Sequence, residues 1–207
     1  MFNNERMNHF RDLNLDIVNK TILEFGSGVG HLTSKLLKLT SSELILSIEA
    51  RESNILYHKK RFPETNILCF DLESDDWTTI PKSDIGIAFG ILYHLKNPFD
   101  FIKNASKKVN DFLIIETAVC DDYINKQQVL EETHSGYIVK EDVNLCIDSY
   151  NGMGCRMYSN SIILELKLYF PYVYSVIPPD NEEFTSKRRQ IFMGSYIDQH
   201  NNQLIIV

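Results

Sequence analysis

Apolar runs and helical patterns alternate along the first 120 residues. The runs that have the length and composition of buried strands lie at 21–25, 43–50, 66–72, 84–92 and 111–119. Between them, apolar residues recur at helical spacing over 31–39, 52–62 and 95–109. Alternation of this kind predicts a parallel sheet, with right-handed crossovers that place helices on its faces.

The pattern changes after residue 120. Residues 120–158 have mixed polarity and several glycines, which predicts an insertion or a lid. A helix is predicted over 160–170, ended by Pro171, and two strands that form a terminal antiparallel pair are predicted at 172–178 and 188–197. We therefore expect a single α/β domain over 1–207, with a Rossmann-like, doubly wound, seven-stranded mixed sheet.

A glycine-rich turn follows the first predicted strand, in the stretch ILEFGSGVGHL at 22–32. Dinucleotide-binding turns have the pattern Gly-x-Gly-x-x-Gly, but here the last position is His31 and the third glycine is Gly30. Glu24 also lies at the end of the strand, where a negative charge would repel a pyrophosphate. The turn therefore favours a ligand that carries a positive group and no phosphate.

Acidic or small residues also end the next three strands. Glu49 follows Gly28 at the spacing at which a carboxylate accepts hydrogen bonds from a ribose diol. Asp71 could accept from an adenine amino group, with Leu72 against the ring, and the Phe89–Gly90 step would let the backbone approach a ligand. Each residue also has a structural explanation, as a turn residue or a helix N-terminal acid. Their joint occurrence favours one shared ligand site.

Residues 21–119 resemble the class I S-adenosylmethionine (SAM)-dependent methyltransferases. The resemblance lies in two motifs, Glu-x-Gly-x-Gly-x-Gly at 24–30 and Tyr-His-Leu-Lys-Asn-Pro at 93–98. The second motif is similar to one found in the tRNA wobble-uridine carboxymethyl-type enzymes and in small bacterial metabolite and glycan methyltransferases. It implies a SAM cofactor, S-adenosylhomocysteine (SAH) as product, and cofactor contacts from the residues named above: Glu24, Gly26, Gly28, Gly30, Glu49, Asp71, Leu72, Phe89 and Gly90. Arg11 is a further candidate for the cofactor carboxylate.

The candidate catalytic residues are His94 and Tyr93, which follow the fourth strand on the rim where the methyl group would point. Histidine side chains titrate near neutral pH, so His94 could act as a general base or as a hydrogen-bond donor to substrate. Tyr93 could line the pocket or pack in the core.

Three more residues are candidates for substrate binding. Arg156 could bind a phosphate or carboxylate, or lie exposed. Glu116 could face the substrate or cap a turn, and His134 could close over the pocket or lie in a solvated loop.

The composition and net charge of the chain limit the kinds of binding partner that we expect. The chain has 207 residues, 28 Asp and Glu against 21 Lys and Arg, and a net charge of −7, which argues against a large nucleic-acid footprint. We interpret the basic run 187–189 as part of a solvent-exposed surface. There is no signal peptide, membrane span or Cys-x-x-Cys pair, so we expect a cytoplasmic protein with free thiols and no zinc site. The acidic loop at 121–125 reads as solvated, and no metal is expected.

Three function classes follow. The leading prediction is methyl transfer to an oxygen, less favourably a nitrogen, of a small polar metabolite such as a sugar, nucleotide sugar or phosphorylated precursor. The alternatives are an RNA (tRNA) methyltransferase and a non-catalytic SAM-binding regulator or partner subunit. The 20 residues before the first strand are fewer than the tRNA enzymes carry, which favours the metabolite prediction. The sequence leaves the oligomeric state open.

Overall fold

The computed structural model describes residues 4–121, 126–145, 148–177, 188–199 and 202–207. Its strands are β1 (Ile22–Phe25), β2 (Ile45–Glu49), β3 (Asn66–Cys69), β4 (Ser83–Phe89), β5 (Val109–Ala118), β6 (Val129–Thr133), β7 (Gly136–Lys140), β8 (Met153–Met157), β9 (Tyr172–Val176), β10 (Arg189–Ser195) and β11 (Leu204–Ile206). Its α-helices are α1 (Asn4–Asp12), α2 (Thr33–Leu36), α3 (Glu52–Arg61), α4 (Pro98–Ser106) and α5 (Ser159–Lys167). Short 3₁₀ turns lie at Ser42–Leu44, Trp77–Thr79, Leu92–His94 and Lys126–Gln128.

The central sheet has the strand order β11-β9-β10-β5-β4-β1-β2-β3. Strands β1 to β5 are parallel, whereas β10 runs antiparallel to β5 and to β9, and β11 antiparallel to β9. The strand order reverses between β1 and β4, because β2 and β3 lie on one side of β1 whereas β4 and β5 lie on the other. Ligands of doubly wound sheets bind at such a reversal, beyond the carboxyl ends of the strands.

Apolar side chains cover both faces of this sheet. Successive residues of β5 alternate between two core clusters, with Leu113 and Ile115 in one and Phe112 and Ile114 in the other. Helices α4 and α5 pack on the first face, and α1 packs on the second through Phe10. Burial on both faces explains why the central strands read as continuous apolar runs.

The predicted α/β class and the parallel core are confirmed, and three details differ. The central sheet has an eighth strand, β11, beyond the predicted terminal pair. The helix predicted over 31–39 is reduced to the single turn Thr33–Leu36. Within the segment predicted as an insertion or lid, β6, β7 and β8 form a separate antiparallel sheet. These strands are partly exposed and short, which weakens their apolar pattern.

The small sheet of β6 to β8 begins where β5 ends. Cys120 N donates to Met157 O at 3.1 Å, and Val119 and Met157 form a parallel bridge. This connection fixes the small sheet beside the carboxyl end of the central sheet. Among the described residues, no helix has the length and apolarity that a membrane crossing requires.

Candidate active site

A cavity of about 570 Å³ opens at the reversal point between β1 and β4. Its wall is built from the glycine turn, the ends of β2, β3 and β4, the loop at 148–151 and four arginines. The sequence-predicted residues that line it are Gly26, Gly28, Glu49, Asp71, Leu72, Phe89, Gly90, Tyr93, His94 and Arg156. Glu24, Gly30, Glu116 and His134 are not among the lining residues.

The glycine turn places backbone, and not side chains, against this cavity. Gly26 has φ +69°, and a Cβ there would lie 2.8 Å from the Ile91 side chain. At Gly28 a Cβ would meet no atom within 4 Å, consistent with a position that faces the cavity. Gly30 instead packs against Phe62, 2.7 Å from where its Cβ would be, so it allows the turn to pack closely against the end of α3 and does not make the direct cofactor contact that we predicted.

Glu24 lies beneath the turn and does not reach the cavity. Its side chain is fully buried, and its Oε2 accepts hydrogen bonds from Thr33 Oγ1 and Ser47 Oγ, both at 2.6 Å. The predicted ligand contact is therefore replaced by an indirect role, in which Glu24 joins β1, β2 and the start of α2. Burial raises the pKa of this carboxyl from 4.5 to about 7, against the lowering effect of its two hydroxyl donors.

We expect the buried Glu24 carboxyl to make the protein less stable as the pH rises from about 4.5 to 7. The folded state retains the proton over this window and the unfolded state does not, so stability falls by about 3 kcal/mol. Urea unfolding of the wild type and of Glu24→Gln at several pH values measures this pH-dependent loss of stability. The variant should gain stability relative to the wild type as the pH rises. Parallel pH curves for the two proteins would contradict the assignment.

Glu49 ends β2 with its carboxylate at the cavity wall. Its Oε2 accepts from Gly28 N at 2.8 Å, and its Oε1 accepts from Arg51 N at 2.9 Å. Asn54 Nδ2 lies 3.4 Å from the same Oε1. These contacts fix the carboxylate beside the glycine turn, where a ribose diol could be bound.

Asp71 and Leu72 follow β3 and line the next part of the cavity. Asp71 also shapes its own turn, since its carboxylate accepts from Glu73 N at 3.0 Å and from Ser74 Oγ at 2.8 Å. Asp71 therefore acts as a turn residue, as considered from the sequence, and also lines the cavity. Leu72 is 7% exposed and offers an apolar surface there.

Phe89 and Gly90 end β4 and bring an unexpected arginine to the cavity. Phe89 packs edge-on against Phe10 of α1, with ring centroids 5.5 Å apart. A Cβ at Gly90 would lie 2.8 Å from Arg6 Nη2, so the absence of a side chain at Gly90 admits the guanidinium. Arg11, the arginine considered from the sequence, is exposed and pairs with Asp12 instead.

Tyr93 lines the cavity, and two guanidiniums lie close to its ring. Arg156 Cζ is 4.6 Å and Arg189 Cζ is 5.2 Å from its ring centroid. Arg189 Nη2 donates to the Tyr93 hydroxyl at 3.0 Å, and Arg156 Nη1 donates to the Tyr93 carbonyl at 2.8 Å. This corner of the cavity, made of Tyr93, Arg156 and Arg189, is called the arginine corner below.

Glu116 lies behind two of the cavity arginines, Arg6 and Arg189. It is fully buried and accepts from Arg6 Nη2 and, at 2.9 Å, from Arg189 Nη1. We predicted contact with the substrate or a turn cap. The structure places Glu116 instead as a buried counter-ion that holds α1 and β10 against β5.

His94 is held by a carboxylate that the sequence did not single out. Its Nδ1 lies 2.6 Å from Glu141 Oε2, while Arg156 Nη2 donates to Glu141 Oε1 at 2.9 Å. Burial raises the pKa of Glu141, but the hydrogen bond from His94 and the charge of Arg156 outweigh it and lower the pKa overall. An ionised carboxylate only accepts hydrogen bonds, so Nδ1 carries a proton and Nε2 is the ring nitrogen that could accept a second one.

His134 and the basic run lie elsewhere. His134 is exposed in the turn between β6 and β7, away from the cavity wall. Of the run at 187–189, Lys187 lies outside the described residues, and Arg189 turns inward to the cavity and is not part of a solvated face. The acidic loop is only partly described, and in it Asp121 accepts from Ser159 N at 2.7 Å.

One cluster in the described part of the chain has the composition of a metal site. Ligand atoms of His94, Glu141 and Asp148 lie within 4.8 Å of one another. However, both Glu141 oxygens already accept hydrogen bonds, from His94, from Ser149 N and from Arg156. The neighbouring guanidinium would also repel a cation, so we assign no metal to this cluster.

Residues 141–145 and 148–152, called the strap below, lie on one side of the cavity, which 148–151 line. Arg51, two residues after the end of β2, donates to Val143 O at 2.8 Å and to Ser149 O at 2.9 Å. Asn151 Nδ2 donates to Glu73 Oε2 at 3.0 Å. Both contacts connect the strap to the part of the central sheet that carries Glu49 and Asp71.

No protein-family model matches the chain. It is 20% identical over 199 residues to a putative methyltransferase, 235L, of Invertebrate iridescent virus 6, covering 88% of this chain and 74% of that protein. The N-terminal domain of EvdMO1, solved with SAH bound, superposes with a TM-score of 0.68 at 18% identity, covering 93% and 79% of the two chains. A SAM-dependent methyltransferase from Mesorhizobium loti gives a TM-score of 0.66 at 10% identity, covering 92% and 96%.

The chain has a Rossmann-like methyltransferase fold. Within this fold, sequence reasoning missed Arg6, Glu141, Arg51 and the inward orientation of Arg189. Arg189 had a usable signal, because it pairs with Ala118 in the antiparallel register and so lies diagonally across from Glu116. Glu141 had none, since it is one acid among many in a segment of mixed polarity.

Proposed function

We propose that this chain is a SAM-dependent methyltransferase that transfers a methyl group to an oxygen, less favourably a nitrogen, of a small polar metabolite. The proposed acceptors are a sugar, a nucleotide sugar or a phosphorylated precursor. The observation that carries the proposal is a single cavity that joins a glycine turn and carboxylates on one side to a histidine–carboxylate pair on the other. SAM, when bound, supplies the activated methyl group.

The first side of the cavity fits the cofactor's groups. Glu49 would accept from the ribose hydroxyls, and Asp71 and Leu72 would contact the adenine. The backbone at Gly26 and Gly28 leaves room for the ligand. Arg6, whose guanidinium lies beside Gly90, would bind the carboxylate of the methionine part. SAH in the EvdMO1 domain, which shares the fold, supports the same assignment here.

His94 would take the proton from an acceptor hydroxyl. Glu141 orients the ring through Nδ1 and would stabilise the imidazolium that forms, while Nε2 is the atom able to accept the proton. Tyr93, at 4.1 Å from the His94 ring centroid, would position the acceptor. In this scheme Glu141 is a positioning residue, because it acts through His94.

A small acceptor is supported by the strap. Residues 148–151 line the cavity, and Arg51 and Glu73 hold the strap over the cofactor side. We propose that the strap is the functional part of the predicted lid and limits the size of the acceptor. The protein carries a net charge of −7, which is unfavourable for RNA.

Two measurements test the proposal. Calorimetric titration with SAH asks whether the cavity binds the cofactor product. Incubation with methyl-labelled SAM and an extract, fractionated into RNA, protein and small molecules, then asks what accepts the label. Label in small molecules supports the metabolite assignment, and label in RNA contradicts it. SAH binding with no label in any fraction favours a non-catalytic binder, whereas no SAH binding contradicts the whole proposal.

Glu49→Ala is expected to weaken SAH binding by about 10–100-fold, because charged hydrogen bonds contribute roughly 1.5–3 kcal/mol each. Calorimetry measures the change. Glu52→Ala is the matched control, since Glu52 is a neighbouring acid, exposed at the start of α3 and absent from the cavity wall. Equal affinities for the wild type and Glu49→Ala would remove Glu49 from the cofactor site.

A further inference from the structure

Every identified hydrogen-bonding side-chain group that the arginine corner presents to the cavity is a donor. Arg156 uses two of its five N–H groups on the Tyr93 carbonyl and Glu141, which leaves three for a ligand. The Tyr93 hydroxyl accepts from Arg189, so its own hydrogen remains to be donated. Within the described ranges no acceptor within hydrogen-bond distance is identified for that hydrogen.

The carboxylates that balance these arginines lie behind them. Glu116 and Glu141 have side chains that are 0% and 5% exposed, and neither lines the cavity, whereas Arg156 and Arg189 do. Asp148 lines the cavity within 4.8 Å of His94, and no salt bridge is found between it and either arginine. The surface at the corner is therefore positive, although the network beneath it contains negative charge.

Holding two guanidiniums close to one ring has an electrostatic cost, part of which Glu116 and Glu141 offset from behind. Like charges repel, and partial burial of Arg156 and Arg189 strengthens that repulsion because solvent screens it less. Bound SAM would not relieve it, since a sulfonium, an ammonium and one carboxylate give a net positive charge. An anion on the second substrate would.

We propose that the acceptor carries a carboxylate or a phosphate, separate from the atom that is methylated, and that Arg156, Arg189 and the Tyr93 hydroxyl bind it. This inference rests on the proposed function and narrows its substrate class. Guanidiniums bind both anions through paired N–H groups. Tyr93 and His94 are consecutive, so an anion held here would place a neighbouring hydroxyl near His94.

The test follows arginine Nε–Hε signals by NMR in ¹⁵N-labelled protein loaded with SAH. The probes are inorganic phosphate and acetate, with glucose as the neutral control. Phosphate or acetate should shift the Arg156 and Arg189 signals saturably, and the probe that binds more tightly indicates which anion the acceptor carries. Glucose should shift neither signal.

Variants locate the binding. Arg156→Gln should weaken binding of the preferred anion, followed on the Arg189 signal, by about 10-fold or more. Arg156→Lys, which keeps the charge and loses the paired donors, should be intermediate. Arg11→Gln should have no effect, because Arg11 is exposed and outside the cavity.

Several results would overturn the inference. The first is that neither anion shifts the Arg156 and Arg189 signals saturably, and the second is that the Arg11 signal shifts equally. The third is that the SAH carboxylate already saturates the arginine corner before any probe is added. Each requires that SAH binds, and each leaves the methyltransferase proposal standing. Failure to bind SAH, measured by calorimetry on the same samples, would overturn both.

Discussion

His94→Ala should lower the rate of methyl transfer by ~10²–10⁴, the range typical of a lost general base. The affinity for SAH should not change, because His94 lies on the acceptor side of the cavity, away from Glu49 and the glycine turn. The rate is measured with labelled SAM and the labelled fraction identified from extract, and the affinity by calorimetry. A lower rate with unchanged affinity separates a proton-transfer role from a role in cofactor binding.

His134→Ala is the matched control for this experiment. His134 lies exposed in the β6–β7 turn, so the same substitution there should leave the rate unchanged. If His94→Ala retains the full rate, His94 is not the general base of the reaction.

Glu116→Ala is expected to lower the free energy of unfolding by about 3–5 kcal/mol, the range measured when one partner of a buried ion pair is removed. Arg6 and Arg189, with side chains 6% and 13% exposed, would keep their charges without the carboxylate that both contact. Urea unfolding followed by circular dichroism measures the loss.

The surface pair of Arg11 and Asp12 provides the comparison. Its side chains are 62% and 54% exposed, and its atoms are 3.4 Å apart, so Asp12→Ala should change stability by less than about 0.5 kcal/mol. If Glu116→Ala had a similarly small effect, the buried network would not be a major contributor to stability.

The parallel half of the fold could be predicted because its signals are local. Strands buried on both faces, such as β4 and β5, are long apolar runs, and Pro98 at the first turn of α4 marks a helix start. The small sheet had no comparable signal. In β6 the middle three residues are exposed, so neither a continuous run nor a clean alternation forms.

The residues of the candidate site divide in the same way. Those at strand ends, Glu49, Asp71 and Gly90, could be placed on the cavity because the topology of a doubly wound sheet brings the strand ends together. Glu24 was misplaced because strand alternation does not tell whether a terminal side chain points along the cavity or beneath it. Arg6 and Glu141 depend on tertiary packing of separate segments, which no local pattern encodes.

The network around Glu116 also bears on how the protein is made. Its carboxylate contacts one arginine 110 positions earlier in the chain and another 73 positions later. During synthesis Arg6 emerges first and Glu116 more than one hundred residues later, but the second guanidinium is absent until β10 has left the ribosome. This wall of the cavity is therefore completed only after β10 has been synthesised, and a ribosome stalled before residue 189 would carry a chain in which the wall is missing.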